Sequence, residues 1–69
     1  MKKRSVFIAK RHHTSVSMEP EFWDEFMKIV EREHTHINKL MTKIDAEKTV
    51  KSLSSAVRIY ILKYLKSNR

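Results

Sequence analysis

The chain has 69 residues, no cysteine and a formal net charge of +7. A domain of this size has a marginal hydrophobic core, and the absence of cysteine excludes disulfides and thiolate metal sites as a supplement. Oligomerisation is then the leading way to stabilise the fold. No apolar run is long enough for a membrane span or a signal-peptide core, so we expect a cytoplasmic protein without a membrane partner.

The first predicted element is a basic arm over residues 1–12, followed by a folded domain over residues 13–69. Ser5-Val-Phe-Ile8 contains β-favouring residues and could form a short extra strand within the arm. The charge is uneven, because residues 1–13 and 48–69 contain no acid and all acids lie between Glu19 and Glu47. Basic ends around an acidic middle are typical of a surface that binds a polyanion, although ordinary solubility would explain them too.

The next element is a β-strand over residues 13–18, which alternates between polar and apolar residues. Thr14, Val16 and Met18 lie on its apolar face. A single strand leaves backbone groups unpaired on both edges, so it needs a partner, most simply the same strand of a second copy. Two strands paired in this way form a ribbon that fits the DNA major groove.

Three helices are predicted after the strand, over residues 20–33, 36–46 and 53–66. Pro20 is a favoured first helical residue, and Thr35 is the obvious N-cap of the second helix. Glycine is absent, so His34 is the candidate for the left-handed residue that ends the first helix.

The third helix, capped by Ser52 or Ser54, has an apolar stripe wide enough to suggest burial on more than one side, as at a dimer interface. Helical and strand spacing together predict a core shared by two copies. Its residues would be Val16, Met18, Phe22, Trp23, Phe26, Val30, Leu40, Ile44, Val57 and Ile61.

No residue pattern points to catalysis or to a cofactor. The chain has no glycine-rich phosphate loop, no cysteine nucleophile and no glycine-flanked serine elbow. His12-His13 and His34-x-His36 could supply imidazole ligands, but no nearby acid pair or cysteine completes a shell. We therefore predict a protein that is not an enzyme and holds neither a metal nor a cofactor.

The segment Thr14-Ser-Val-Ser-Met-Glu-Pro-Glu-Phe-Trp-Asp-Glu-Phe26 resembles the ribbon-helix-helix family, which includes the Arc and MetJ repressors. Asn38-Lys-Leu-Met-Thr-Lys-Ile-Asp45 and Leu53-Ser-Ser-Ala-Val-Arg-Ile-Tyr60 resemble a subgroup of small proteins with an additional C-terminal helix. The resemblance implies a mainly α fold with one short β-strand and a third helix. It implies an intertwined homodimer whose two strands form an intersubunit antiparallel ribbon.

The same resemblance implies a transcriptional regulator, of the repressor type, that binds double-stranded DNA in the bacterial nucleoid. Base contacts would come from the outward strand residues Arg11, His13, Ser15 and Ser17. Serine discriminates poorly among bases, so specificity would be modest. Phosphate contacts would come from the basic arm and from the start of the second helix, at Lys2, Lys3, Arg4, Lys10, Ile37, Asn38 and Lys39.

Two other functions remain open. A protein-interaction or antitoxin-like module would explain why serines, which discriminate poorly among bases, occupy the outward strand positions. It would also explain the broad apolar stripe of the third helix. A small RNA-binding protein would need aromatic residues exposed on a sheet, which the predicted strand lacks. The expected partners are therefore double-stranded DNA, a second copy that could associate further on DNA, and, in the alternative, another protein.

Overall fold

The amino-terminal residues form a β-hairpin that is followed by three helices. The structure is a computed structural model that describes residues 1–9 and 12–67. Strand β1 (Lys2–Ile8) pairs antiparallel with strand β2 (His12–Met18). The helices are α1 (Pro20–Arg32), α2 (Ile37–Glu47) and α3 (Leu53–Ser67).

The fold-class prediction of one short strand is wrong, whereas the extra strand suggested for Ser5–Ile8 is confirmed as part of β1, which is the partner of β2. Val6 and Ile8 alternate with exposed residues in β1 in the same way that Val16 and Met18 alternate in β2. Two half-buried strands that are close in sequence can pair within one chain at a small cost in loop-closure entropy. Lys2–Ile8, within the predicted basic arm, therefore form the first strand of a hairpin.

The hairpin turn contains Ala9 in the left-handed conformation, with φ at 53°. This conformation costs a residue with a Cβ atom roughly 1–2 kcal/mol. The backbone N–H of Ala9 donates to Oγ1 of Thr42 in α2 at 2.9 Å, and the same hydroxyl donates to the carbonyl of Asn38 at 2.8 Å. These bonds to α2 help to hold the turn without glycine.

The end of α1 confirms the prediction for His34, whose φ is 51°. The N–H groups of His34 and Thr35 donate to the carbonyls of Glu31 and Val30, which is the Schellman pattern of a helix end. The prediction of Thr35 as the N-cap of α2 is wrong, since His36 occupies that position without a side-chain hydrogen bond.

The start of α3 distinguishes the two serines that were predicted as alternative caps. The hydroxyl of Ser52 accepts the N–H of Ser55 at 3.3 Å, so Ser52 is the cap. The hydroxyl of Ser54 instead accepts the backbone N–H of Ser17 at 3.2 Å. This second bond ties the start of α3 to the end of β2.

The core lies between the inner face of the hairpin and the three helices. Met18, Phe26 and Val57 are fully buried. Of the ten residues predicted for a core shared by two copies, nine are buried within the single chain and Phe22 is partly buried. One chain therefore encloses these side chains without a second copy.

An ion pair links the connection between β2 and α1 to α3. Nη2 and Nε of Arg58 donate to Oε1 of Glu19 at 2.9 and 3.2 Å. The pKa of Glu19 lies below its usual value of 4.5, because a backbone hydrogen bond and then the Arg58 guanidinium stabilise the carboxylate. Since a lowered pKa favours the charged form in the folded chain, the resulting stability is complete above the unfolded pKa.

We predict that Glu19→Gln lowers the melting temperature at pH 7 and that its difference from the native chain shrinks as the pH falls below 4.5. Protonation of Glu19 at low pH removes the charge that the variant lacks at every pH. Circular dichroism melts between pH 7 and pH 3 measure the difference. Glu21→Gln, at an exposed position of α1, is the matched control. A difference that stays constant down to pH 3 would contradict the prediction.

Candidate nucleic-acid interface

The outer face of the hairpin consists of alternate residues from both strands. The buried side chains of the two strands are Val6, Ile8, Val16 and Met18. The residues that alternate with them along each strand therefore point away from the core. These outward residues lie opposite one another in the strand register. We call the six the outer face: Lys3 opposite Ser17, Ser5 opposite Ser15, and Phe7 opposite His13.

Three of the four residues predicted to contact bases lie on this face. His13 and Ser15 are exposed, whereas Ser17 is partly buried beside the start of α3. Arg11, the fourth, lies outside the described residues. The outer face carries one lysine and no acid, so an approaching polyanion meets no repelling side chain on it.

The sequence-based site prediction missed Ser5 and Phe7, which belong to the same face. Phe7 is 43% exposed, and its ring centroid lies 4.1 Å from that of His13, with the planes at 65°. Residues directly opposite each other on one face of an antiparallel pair are close enough for such contacts. The alternation in Ser5-Val-Phe-Ile8 is the signal that could have found them.

The basic residues at the start of β1 divide between the two faces. Lys3 belongs to the outer face, whereas Lys2 and Arg4 alternate with it and lie on the same side of β1 as Val6 and Ile8. The carbonyl of Lys2 accepts Nε1–H of Trp23 at 2.8 Å, and the guanidinium of Arg4 lies 5.3 Å from the Trp23 ring centroid. Lys10, also predicted to contact phosphate, lies outside the described residues.

The start of α2 lies beside the Phe7 end of the outer face. Oδ1 of Asn38 accepts the backbone N–H of Phe7 at 3.0 Å, so this side chain holds the hairpin. First-turn N–H groups have no acceptor within their own helix. The exposed Lys39 lies at the same helix start. An open pocket of about 750 Å³ lies beside this contact, lined by Phe7, Ala9, His36, Asn38, Lys39 and Thr42.

The two outer edges of the hairpin differ. At Phe7 and Ala9 the edge of β1 is covered by α2, which accepts the N–H groups of both residues. On the edge of β2, the N–H of Ser17 points away from β1 to Ser54. Hydrogen-bonding direction alternates along an antiparallel strand, so the N–H groups of His13 and Ser15 point the same way. No described residue accepts them, and we call this backbone the open edge.

Within residues 1–9 and 12–67, no group of three or more histidine, cysteine, aspartate or glutamate side chains could hold a metal ion. None of the helices in these ranges has the length and apolar character needed to cross a membrane.

Comparison with known proteins gave one match. A family model described as a ribbon-helix-helix domain matches residues 1–65. This range contains the complete hairpin, α1, α2 and most of α3. Searches of curated proteins and of solved structures found no match.

Proposed function

The chain belongs to the ribbon-helix-helix family, and on that premise we propose that it binds double-stranded DNA as a homodimer and represses transcription. Members of the family generally bind DNA as dimers, and such domains are typically regulatory rather than enzymatic. One observation supports the proposal above the others. The outer face is an exposed, acid-free, two-stranded surface with the start of a helix beside it.

The open edge of β2 is the proposed dimer contact. Helix α2 covers the edge of β1 at Phe7 and Ala9, whereas on β2 the N–H groups of His13 and Ser15 have no acceptor among the described residues. If the β2 strands of two copies pair antiparallel across a two-fold axis, each strand supplies acceptors for the free N–H groups on the open edge of the other. The result is a four-stranded sheet whose central pair is the ribbon expected from the family.

The dimensions of this sheet suggest how it meets DNA. Neighbouring strands lie about 4.8 Å apart, so four strands span about 14 Å, slightly more than the roughly 12 Å width of the major groove. The central β2 strands would enter the groove with His13, Ser15 and Ser17. The flanking β1 strands would lie at its rims, where Lys3 can reach phosphates.

Phosphate binding at the start of α2 would fix the position of the sheet. Backbone N–H groups at a helix N-terminus attract anions, and the exposed Lys39 adds a positive charge there. Contacts of this kind set the register of a protein on DNA but do not read its sequence. Lys10 and Arg11 remain predicted DNA contacts on sequence grounds alone.

Selection of bound duplexes from a random pool tests the proposal. We expect enriched sites that contain two half-sites related by a dyad, because a symmetric dimer presents two identical outer faces. A pool that shows no enrichment after several rounds, with the protein not retained on DNA at physiological salt, would contradict it.

We predict that Lys3→Ala weakens binding to all duplexes and flattens its dependence on salt. Each phosphate contact contributes about 0.9 to the slope of log K against log salt, so two copies of Lys3 contribute about 1.8. Affinities measured between 50 and 200 mM salt give the slope. Lys28→Ala is the control, since Lys28 pairs with Glu25 on α1. Equal slopes for the two variants would contradict a contact at Lys3.

A second candidate function, binding of another protein, is supported by the exposed side of α3. Ile59, Leu62 and Leu65 are 40, 56 and 39% exposed there. No described residue forms an ion pair with the nearby Lys63 or Lys66, and residues 48–69 contain no acid. This combination fits an acidic amphipathic segment. We expect Leu62→Glu to abolish binding of such a partner and to leave DNA binding unchanged.

A further inference from the structure

We propose that Phe7 contacts thymine methyl groups and makes the protein prefer thymine at fixed positions of its site. This inference rests on the proposed binding of DNA. The C5-methyl of thymine is an apolar group on the major-groove edge of the base pairs, and phenylalanine is one of the side chains that contact it. Phe7 is the only aromatic residue other than His13 on the outer face.

The ring of Phe7 is held in place before any ligand arrives. Its centroid lies 4.1 Å from that of the His13 ring, and its backbone N–H donates to Oδ1 of Asn38 at 3.0 Å. A side chain that is already oriented loses less conformational entropy on binding than a mobile one. The exposed 43% of Phe7 is therefore an oriented apolar surface.

The position of Phe7 in the proposed complex agrees with this role. Phe7 lies on β1, which flanks the central strands of the four-stranded sheet. In the major groove, C5 of thymine lies toward its own sugar-phosphate strand, so its methyl is at the side of the groove. Asn38 connects Phe7 directly to the start of α2, so a phosphate bound there would fix how deeply the ring enters.

Phe7 also supplies discrimination that the serines of the outer face lack. Ser5, Ser15 and Ser17 carry hydroxyls, which bond to several bases without distinguishing them well. An apolar contact with a methyl group distinguishes thymine from the pyrimidine that lacks one. The expected preference is therefore for thymine at the positions that face β1.

Replacement of thymine by deoxyuridine tests the inference, because it removes only the methyl group. The site selected from the random pool is synthesised with deoxyuridine at one thymine position in each half-site, for each position in turn. We expect about a fourfold loss of affinity for each methyl removed, hence about 15-fold for a symmetric pair. The loss should occur at the positions that Phe7 contacts and should disappear in Phe7→Ala.

Leu62→Ala is the control, since it removes an exposed apolar side chain on α3, outside the outer face; it should keep the sensitivity to deoxyuridine. Deoxyuridine that weakens no position in the native protein, or weakens native protein and Phe7→Ala equally, would overturn the inference while DNA binding itself stands. If Phe7→Ala is unfolded by circular dichroism, Phe7→Ser takes its place in the same comparison with the native protein. Failure of the proposed function can be distinguished from failure of this inference, because the native protein would then bind no duplex at all.

Discussion

Replacement of Ser15 by proline is expected to prevent formation of the proposed dimer without unfolding the chain. Proline has no backbone N–H, and its ring obstructs strand addition at the edge where that N–H points. This N–H faces away from β1, so the hairpin keeps its own hydrogen bonds. Loss of the second half-site contact should weaken binding to a two-half-site duplex about a hundredfold.

Light scattering at several protein concentrations and circular dichroism measure the two properties of Ser15→Pro. Ser15→Ala is the control, because it removes the same hydroxyl but keeps the backbone N–H; it should remain a dimer. A Ser15→Pro protein that is folded and still dimeric would place the dimer contact elsewhere. A native protein that is monomeric at all concentrations and on DNA would exclude the proposed dimer.

The second large effect is expected from Phe26→Ala, which should cost about 3–5 kcal/mol of folding free energy. Phe26 is fully buried, and its ring lies edge-on to Trp23 with 6.1 Å between the centroids. A small domain has few kcal/mol to lose, so the variant should be largely unfolded at room temperature. Urea denaturation followed by tryptophan fluorescence measures the loss.

Phe22→Ala, at a partly buried position of the same helix, should lose less. Because Phe26 lies in a core enclosed by one chain, the loss caused by Phe26→Ala should be the same at low and high protein concentration. A loss that depends on concentration would mean that the core is shared with a second copy.

Local patterns were sufficient to predict several parts of this fold. Pro20 marked the start of α1, and the absence of glycine pointed to His34 as its left-handed end. Alternation over β2 separated its outward residues from its buried ones, which is why His13 and Ser15 were assigned to the correct face. Each of these inferences uses residues within one turn or one strand.

The pairing of β2 could not be predicted in the same way. A strand with two unpaired edges accepts a partner from its own chain or from another, and alternation does not distinguish them. The left-handed conformation of Ala9 is supported by a hydrogen bond to Thr42, which is 33 residues away in sequence. Alternation alone places Phe7 on the outward side of β1, but its position opposite His13 depends on the register between β1 and β2. Contacts between residues that are distant in sequence thus determine the partner and register of β2, which periodicity alone does not predict.

Amide chemical shifts recorded while a selected duplex is added to isotope-labelled protein test most directly that the outer face contacts DNA. We predict the largest changes at Lys3, Phe7, His13 and Ser15 and in the first turn of α2, with the exposed side of α1 nearly unchanged. Changes confined to α3, with the outer face unaffected, would contradict the proposed mode of binding.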